Sequence, residues 1–211
     1  MRERFWYLSQ LFIRPDMQAK GVGQALLTRT LRQAEQDNTS NRALTTFAFN
    51  TISTGLYVRN GMFLRESLYR VVAPASVVER RIKPTGYLDA LPIEPWPQSK
   101  DWLAEIDEQV LGFRRGSHHQ FLLSGFAARA ARIDRAGRQA GYAYVSGEGH
   151  IGPLAICPDA EAKHVVQTAI QYALQGRPSQ VSMIVPGKAD QIMELVSELG
   201  FRLLTGRCVA L

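Results

Sequence analysis

LSQLFIRPDMQAKGVGQALL, residues 8–27, decides how the rest of the chain is read. Its apolar run from Leu8 to Ile13 ends at Arg14-Pro15, where proline withdraws a backbone donor and closes a strand. Asp16 to Lys20 is a polar turn, Gly21-Val22-Gly23 follows, and an amphipathic segment begins without a break. The order is strand, glycine loop, helix. Glycines at i and i+2 let backbone N–H groups come close to an anion. The opening turn of the helix adds unpaired donors and a partial positive charge. The stretch therefore has the physics of a phosphate or pyrophosphate cradle. A lone Gly-x-Gly is a weak signal, because a strand-to-helix turn also uses glycine for geometry alone. The two commonest phosphate loops fit poorly: Gly-x-x-x-x-Gly-Lys-Ser/Thr is not here, nor are the third glycine and later acid of a dinucleotide fold.

Composition sets the frame around this stretch. The chain has 211 residues, enough for one large or two small domains, each with its own core. Apolar residues make up 45% and charged residues 21%, as in ordinary globular proteins. No apolar run approaches a membrane span, and the start, Met1-Arg-Glu-Arg-Phe-Trp6, lacks a signal-peptide core, so a cytoplasmic location is expected. Cys157 and Cys208 lack metal-ligand spacing and are expected to be small buried residues in a reducing compartment. The net charge of +6 raises the question of nucleic acid. Residues 1–98 hold 13 basic and 8 acidic side chains, and residues 99–211 hold 12 and 11. The excess lies in the half with the glycine loop, where an anionic cofactor accounts for it equally well.

Hydrophobic periodicity then gives the elements. Residues 23–36 form a helix whose buried face is Ala25, Leu26, Leu27, Leu31 and Ala34. Residues 43–49 form a strand parallel to the first, since a helix crosses between them. Residues 53–60 are a short helix broken at Gly61, and residues 62–72 a strand. Five prolines (Pro74, Pro84, Pro92, Pro95 and Pro97) and Gly86 mark residues 76–98 as a linker. The second half is expected to hold helices at 101–110 and 117–124 and strands at 129–134, 139–146 and 150–156. A helix at 160–174, a strand at 180–185, a helix at 189–199 and a last strand or strand pair follow.

Gln18-Ala-Lys-Gly21-Val-Gly23 matches Gln/Arg-x-x-Gly-x-Gly/Ala and resembles the acetyl-CoA loop of the GNAT acetyltransferase superfamily. The block Asn50-Thr-Ile-Ser-Thr-Gly-Leu-Tyr57-Val-Arg-Asn-Gly61-Met62 resembles a second GNAT motif, in the right order and at a suitable separation. The resemblance covers residues 5–72. The element order of the second half resembles the GNAT topology again. Asp107, Leu111-Gly112, Arg114, Gly141-Tyr142 and Ile151-Gly152-Pro153-Leu154 resemble the C-terminal domain of two-domain bacterial GNAT proteins. The expected fold class is α/β with a mixed sheet: tandem GNAT-like acyl-CoA N-acyltransferase folds at 1–75 and 99–211. Only residues 1–7 precede the apolar run that starts at Leu8, and the cofactor strand is expected to span 5–13, so the first copy is expected to lack its N-terminal strands. The exposed edge of that strand is then expected to be covered, by the second domain, by missing strands or by a second copy in a homo-oligomer.

The resemblance implies direct transfer of an acetyl group from acetyl-CoA to an amine of a small molecule or peptide, without a metal. It implies that Leu11, Phe12 and Ile13 pair through their backbone with the pantetheine arm, with an N–H near the splayed end able to stabilise an oxyanion. Gln18, Ala19, Lys20, Gly21, Val22 and Gly23 would hold the pyrophosphate, and Asn50 would orient a water or the arm. Tyr57 would protonate the departing thiolate. A phenol suits that task because its pKa of ~10 lies above the ~8.5 of a thiol. Each role has a plainer counterpart: a solvated Lys20, an Asn50 that only turns the chain, a Tyr57 that only packs the helix. No general base is evident, since Ser9 and Gln10 cannot serve. His118-His119 would point to different sides of a helix and so make a poor metal pair. Trp6, Trp96 and Trp102 are expected to anchor core or linker. In the second copy, Cys157-Pro-Asp-Ala-Glu-Ala-Lys163 has no glycines and two acids, so no CoA is expected there. Two other functions compete: an acyl-CoA sensor without turnover, and a basic nucleic-acid binder.

Overall fold

The computed structural model describes residues 5–37, 41–84, 89–94, 98–125, 129–204 and 208–210. In chain order the first elements are β1 (Phe5–Leu8), a 3-10 turn at Pro15–Met17, α1 (Val22–Gln36), β2 (Asn41–Phe47), α2 (Thr51–Arg59) and β3 (Glu66–Pro74). Then come α3 (Ala75–Arg81), β4 (Asp89–Pro92), α4 (Lys100–Leu111), α5 (Gly116–Gly125), β5 (Arg129–Arg135) and β6 (Arg138–Val145). The last are β7 (His150–Ile156), α6 (Ala162–Gln175), β8 (Gln180–Pro186), α7 (Asp190–Glu198), β9 (Arg202–Leu203) and β10 (Cys208–Ala210). The chain divides into one unit of Met1–Leu68 with Thr205–Leu211 and another of Tyr69–Leu204.

In the first unit β1 runs parallel to β2, from Phe5↔Asn41 to Leu8↔Leu44, as the crossover helix α1 requires. β10 lies antiparallel between β2 and the start of β3, with Cys208 opposite both Phe47 and Leu68. Among the described residues no strand pairs with the other edge of β1. Leu8, Leu27, Leu44, Tyr57 and Met62 make the core, with Trp6 packed against it. The buried stripe of α1 is Leu27 and Ala34, with Leu31 half-buried. Ala25 and Leu26, expected inside, are exposed. Each residue turns the helix by about 100°, so a stripe through 27, 31 and 34 leaves 25 and 26 outside.

In the second unit β4, β5, β6 and β7 are antiparallel in sequence order, β7 pairs in parallel with β8, and β9 pairs with β3. The close approach of β6 and β7 needs a glycine at one point. A Cβ on Gly141 would lie 2.2 Å from the Ala155 carbonyl oxygen. The stretch expected as a linker contains α3 and β4. Its prolines bound these elements rather than exclude them: Pro74 is the N-cap of α3, and Pro92 is the last residue of an edge strand, where a missing N–H costs little. Ala75 and Val78 are buried on one face of α3, a short periodicity that the prolines obscure. The final strands differ as well, because β9 serves the second unit and β10 the first.

Candidate functional site

β1 ends at Leu8, five residues before the sequence placed its end. Beyond the Leu8↔Leu44 pair the chain leaves its neighbour. Among the described residues, Leu11 and Phe12 have no backbone partner, and the Ile13 carbonyl accepts only the Gln18 side-chain amide, at 3.1 Å. Pro15 opens the 3-10 turn, and left-handed Ala19 (φ 57°) and Gly21 (φ 78°) swing the chain into α1. Gly21 is the N-cap of α1, with no side-chain cap. The first intrahelical bond is Ala25 N–H to the Gly21 carbonyl, at 3.0 Å. The N–H groups of Val22, Gly23 and Gln24 therefore start the helix without a backbone acceptor among the described residues. A Cβ on Gly21 would meet nothing within 4 Å, so the loop faces open space.

Next to this loop is a cavity of about 290 Å³. Leu11, Phe12 and Ile13 line it from the end of the strand, Gln18 and Ala19 from the loop, Gly23 from α1, and Asn50 and Tyr57 from around α2. The structure thus brings together eight of the residues singled out from the sequence. Lys20, Gly21 and Val22 are not in its wall; Lys20 and Gly21 are exposed on the loop. Ile52, Ser53 and Leu56, not anticipated, complete the wall. The i, i+4 spacing from Tyr57 back to Ser53 would have found one of them, and Ile52 and Leu56 are a second i, i+4 pair beside it.

The Asn50 Oδ1 accepts Ser53 N–H at 3.1 Å, capping α2, so the turn role assigned to this residue type is realised. Gln24 and Asn60 exchange side-chain hydrogen bonds of 2.9 and 3.2 Å, which fixes α1 against α2. Tyr57 is 7% exposed, and burial raises its phenol above the ordinary value. Its hydroxyl has no hydrogen-bond partner among the described residues. Among the described residues, no Asp, Glu, His, Lys or Arg lines this cavity.

The second unit has a different turn at the matching place. Glu161 is the N-cap of α6 and pairs with His164 at 3.0 Å. Asp159 and Glu161 both line a cavity there with Arg135 and Arg138. His118 and His119 do diverge: His118 is exposed and His119 is buried. His119 belongs to a buried network that the sequence did not reveal. The Asp107 carboxylate accepts His119 Nε2–H at 2.9 Å, Tyr142 O–H at 2.6 Å and the Arg115 guanidinium at 3.1 Å. Since a carboxylate only accepts, Nε2 carries the proton, and Nδ1 meets the Tyr144 hydroxyl at 2.8 Å. Arg115 also bonds Tyr142. Burial alone would raise the Asp107 carboxyl, but these donors and the Arg115 charge outweigh it and hold it well below the carboxylate range. Trp6 and Trp102 pack on the cores of their units, and Trp96 lies outside the described residues. Cys157 is buried with a raised thiol pKa, from burial first and then the Asp159 charge; nothing is described of the Cys208 side chain. Among the described residues no group of three or more His, Cys, Asp and Glu could hold a metal, and no helix is long and apolar enough to cross a membrane.

Residues 2–62 match the model of the Acetyltransferase (GNAT) family. No curated protein sequence matches significantly. A putative acetyltransferase from Pyrococcus horikoshii is similar over 98% of this chain, at 19% identity and a TM-score of 0.68, and the chain spans 65% of that protein's length. A GCN5-related N-acetyltransferase from Sphaerobacter thermophilus superposes over 97% of this chain and 71% of its own, at 13% identity and a TM-score of 0.60. A tandem GNAT protein from the clavulanic acid biosynthesis pathway covers 97% of this chain and 74% of its own, at 16% identity and a TM-score of 0.59. Residues 2–62 carry the match to the GNAT family, and the chain shares the α/β fold of solved GNAT proteins, a tandem GNAT protein among them.

Proposed function

We propose that the first unit binds acetyl-CoA and transfers its acetyl group to an amine. The observation that carries this reading is the convergence, at one cavity, of an unpaired strand end, an uncapped helix start and a buried tyrosine. The unpaired backbone of Leu11 and Phe12 can pair with the amides of a pantetheine arm, much as an added strand would. Val22, Gly23 and Gln24 N–H groups, with the positive end of α1, suit a pyrophosphate. Lys20 stands exposed on the same loop and adds a positive charge. The donor supplies an activated acetyl thioester. The amine nitrogen forms the new C–N bond, the C–S bond breaks, and Tyr57 gives its proton to the thiolate. Burial keeps that phenol protonated at neutral pH. The amine must arrive neutral, and the proton its nitrogen sheds on becoming an amide goes to water, from which the Tyr57 phenolate is reprotonated, since among the described residues no carboxylate or imidazole lines the cavity.

That last observation also favours a second reading, an acyl-CoA sensor that binds without turnover. Calorimetry with acetyl-CoA, followed by thiol release with a panel of amines, separates the two. Binding with turnover supports the transferase, and binding without it supports the sensor. No binding, with Gly21 and Gly23 intact, would refute both.

A further inference from the structure

We propose that the second unit holds a free α-amino acid with a small apolar side chain, bound as a zwitterion between the β5–β6 hairpin and the start of α6. The site is a cavity of about 220 Å³. Arg135 and Arg138 line it from the hairpin, and Asp159 and Glu161 line it from the turn that leads into α6. The hairpin closes through Ala136 (φ 49°) and Gly137 (φ 78°), the left-handed pair of a two-residue turn. That turn sets Arg135 directly opposite Arg138 in the ladder. Directly opposed residues of an antiparallel pair share a face, and like charges placed so are destabilising. Among the described residues neither arginine has an ion-pair partner; the Asp134 carboxylate on the same strand is taken by Arg132, at 2.9 Å. A carboxylate set between the two guanidinium groups turns their repulsion into charge-assisted hydrogen bonds.

The opposite wall narrows the anion to a zwitterion. Asp159 also has no ion-pair partner among the described residues, and Glu161 pairs with His164 at 3.0 Å. No ion pair joins the acids to Arg135 or Arg138 across the cavity. A simple anion there is drawn by the arginines and repelled by the acids, and a simple cation meets the reverse. Because Coulomb energy falls with distance, a molecule gains from both walls only if it carries opposite charges at separate points. An α-amino acid does so, with its carboxylate toward the arginines and its ammonium toward Asp159 and Glu161. Ala140, Ala160 and Val165 supply apolar wall for its side chain. The volume lies below the lower end, about 300 Å³, of pockets for drug-sized ligands, so that side chain must be small. A phosphorylated ligand adds negative charge next to the acids without a cation to offset it. This site does not depend on the reading of the first unit.

The test is calorimetry on the 211-residue chain with L-valine as the probe. L-valinamide lacks the carboxylate and N-acetyl-L-valine lacks the ammonium, and they stand for the two ends of a peptide; coenzyme A is the competitor. Arg138→Gln and Asp159→Asn remove one charge from each wall at exposed positions that the fold tolerates. The expected result is saturable L-valine binding at least about tenfold tighter than either capped form, and weakened at least about tenfold by each substitution. Saturating L-valine should also raise the unfolding temperature of the parent chain and leave that of Arg138→Gln unmoved. Coenzyme A should not displace it. Absent L-valine binding, binding of either capped form within about tenfold of L-valine, indifference to either substitution, or displacement by coenzyme A would each overturn the proposal.

Discussion

The two loop glycines should fail in different ways when substituted. Gly21 sits at φ 78° with open space around its missing Cβ. Gly21→Ala therefore meets no clash, but it forces an L-residue into the left-handed region, at a cost of about 1–2 kcal/mol. Gly23 is helical, and its added Cβ would touch Leu56 Cδ2 at 3.6 Å and Ile13 Cγ1 at 3.7 Å, which is ordinary contact. Gly23→Ala should leave the fold unharmed or stabilise it by up to about 1 kcal/mol, through helix propensity. Gly23→Val adds two methyl groups at a position that lines the cavity. It should keep the fold and lower acetyl-CoA affinity by at least about tenfold, or ~1.4 kcal/mol. Denaturant unfolding measures the first quantity and calorimetry the second. If Gly23→Val kept full affinity, or if Gly21→Val did, the loop would not be the phosphate cradle.

Tyr57→Phe should lower acyl transfer by about 10²–10⁴-fold while leaving CoA affinity nearly unchanged; a rate within about twofold of the parent would make Tyr57 a packing residue. Calorimetry should find one coenzyme A per chain, because Asp159 and Glu161 sit where a second would place its phosphates, and a second equivalent bound after Ile156 would refute this. Asp107→Ala should destabilise the second unit by about 3–5 kcal/mol by leaving Arg115 without its partner. Because the folded Asp107 pKa is lowered, its contribution is fully present above the ordinary carboxylate value of ~3.9 and is lost as pH falls below it. The variant should therefore lose part of the parent's acid-induced destabilisation in a pH series of unfolding curves, and an unchanged acid limb would count against the network. Residues 1–75 expressed alone should be unfolded or insoluble, since they lack the strand Cys208–Ala210 that lies between β2 and β3; a monomeric, well-dispersed fragment would show otherwise.

Much of this was legible in local sequence. The strand-loop-helix order from Phe5, the short helix closed by Gly61, and the second-half elements from Arg129 to Ile156 follow from periodicity and turn residues, which act over a few positions. Gly21 and Asn50 stood out in the sequence because such residues cap helices, and each is the N-cap of one. What local sequence hid was tertiary. The length of β1 is set by where β2 stops pairing with it, not by the apolar run itself. The prolines of residues 74–97 read as a linker until Pro74 and Pro92 are seen at the ends of α3 and β4. Asp107, Arg115, His119, Tyr142 and Tyr144 come from three elements and a turn, with no spacing to betray their meeting. Leu26 deceived because apolar content does not reveal which side of a helix the core will occupy.

β10 has a bearing on how the protein is made. Chains emerge from the ribosome from the N-terminus onward, and domains generally fold in that order. Here Phe47 and Leu68 wait for Cys208, so the sheet of the first unit stays open until the whole of residues 69–204 has been synthesised. During that interval β2 and the start of β3 present unsatisfied edges, the condition under which nascent chains recruit chaperones or aggregate. The later-made unit needs nothing from beyond residue 204 for its own strands, and it can be folded before the earlier one is finished. Yield should therefore depend on temperature and expression rate more steeply than the size of the chain suggests, with the loss falling on the half that carries the glycine loop.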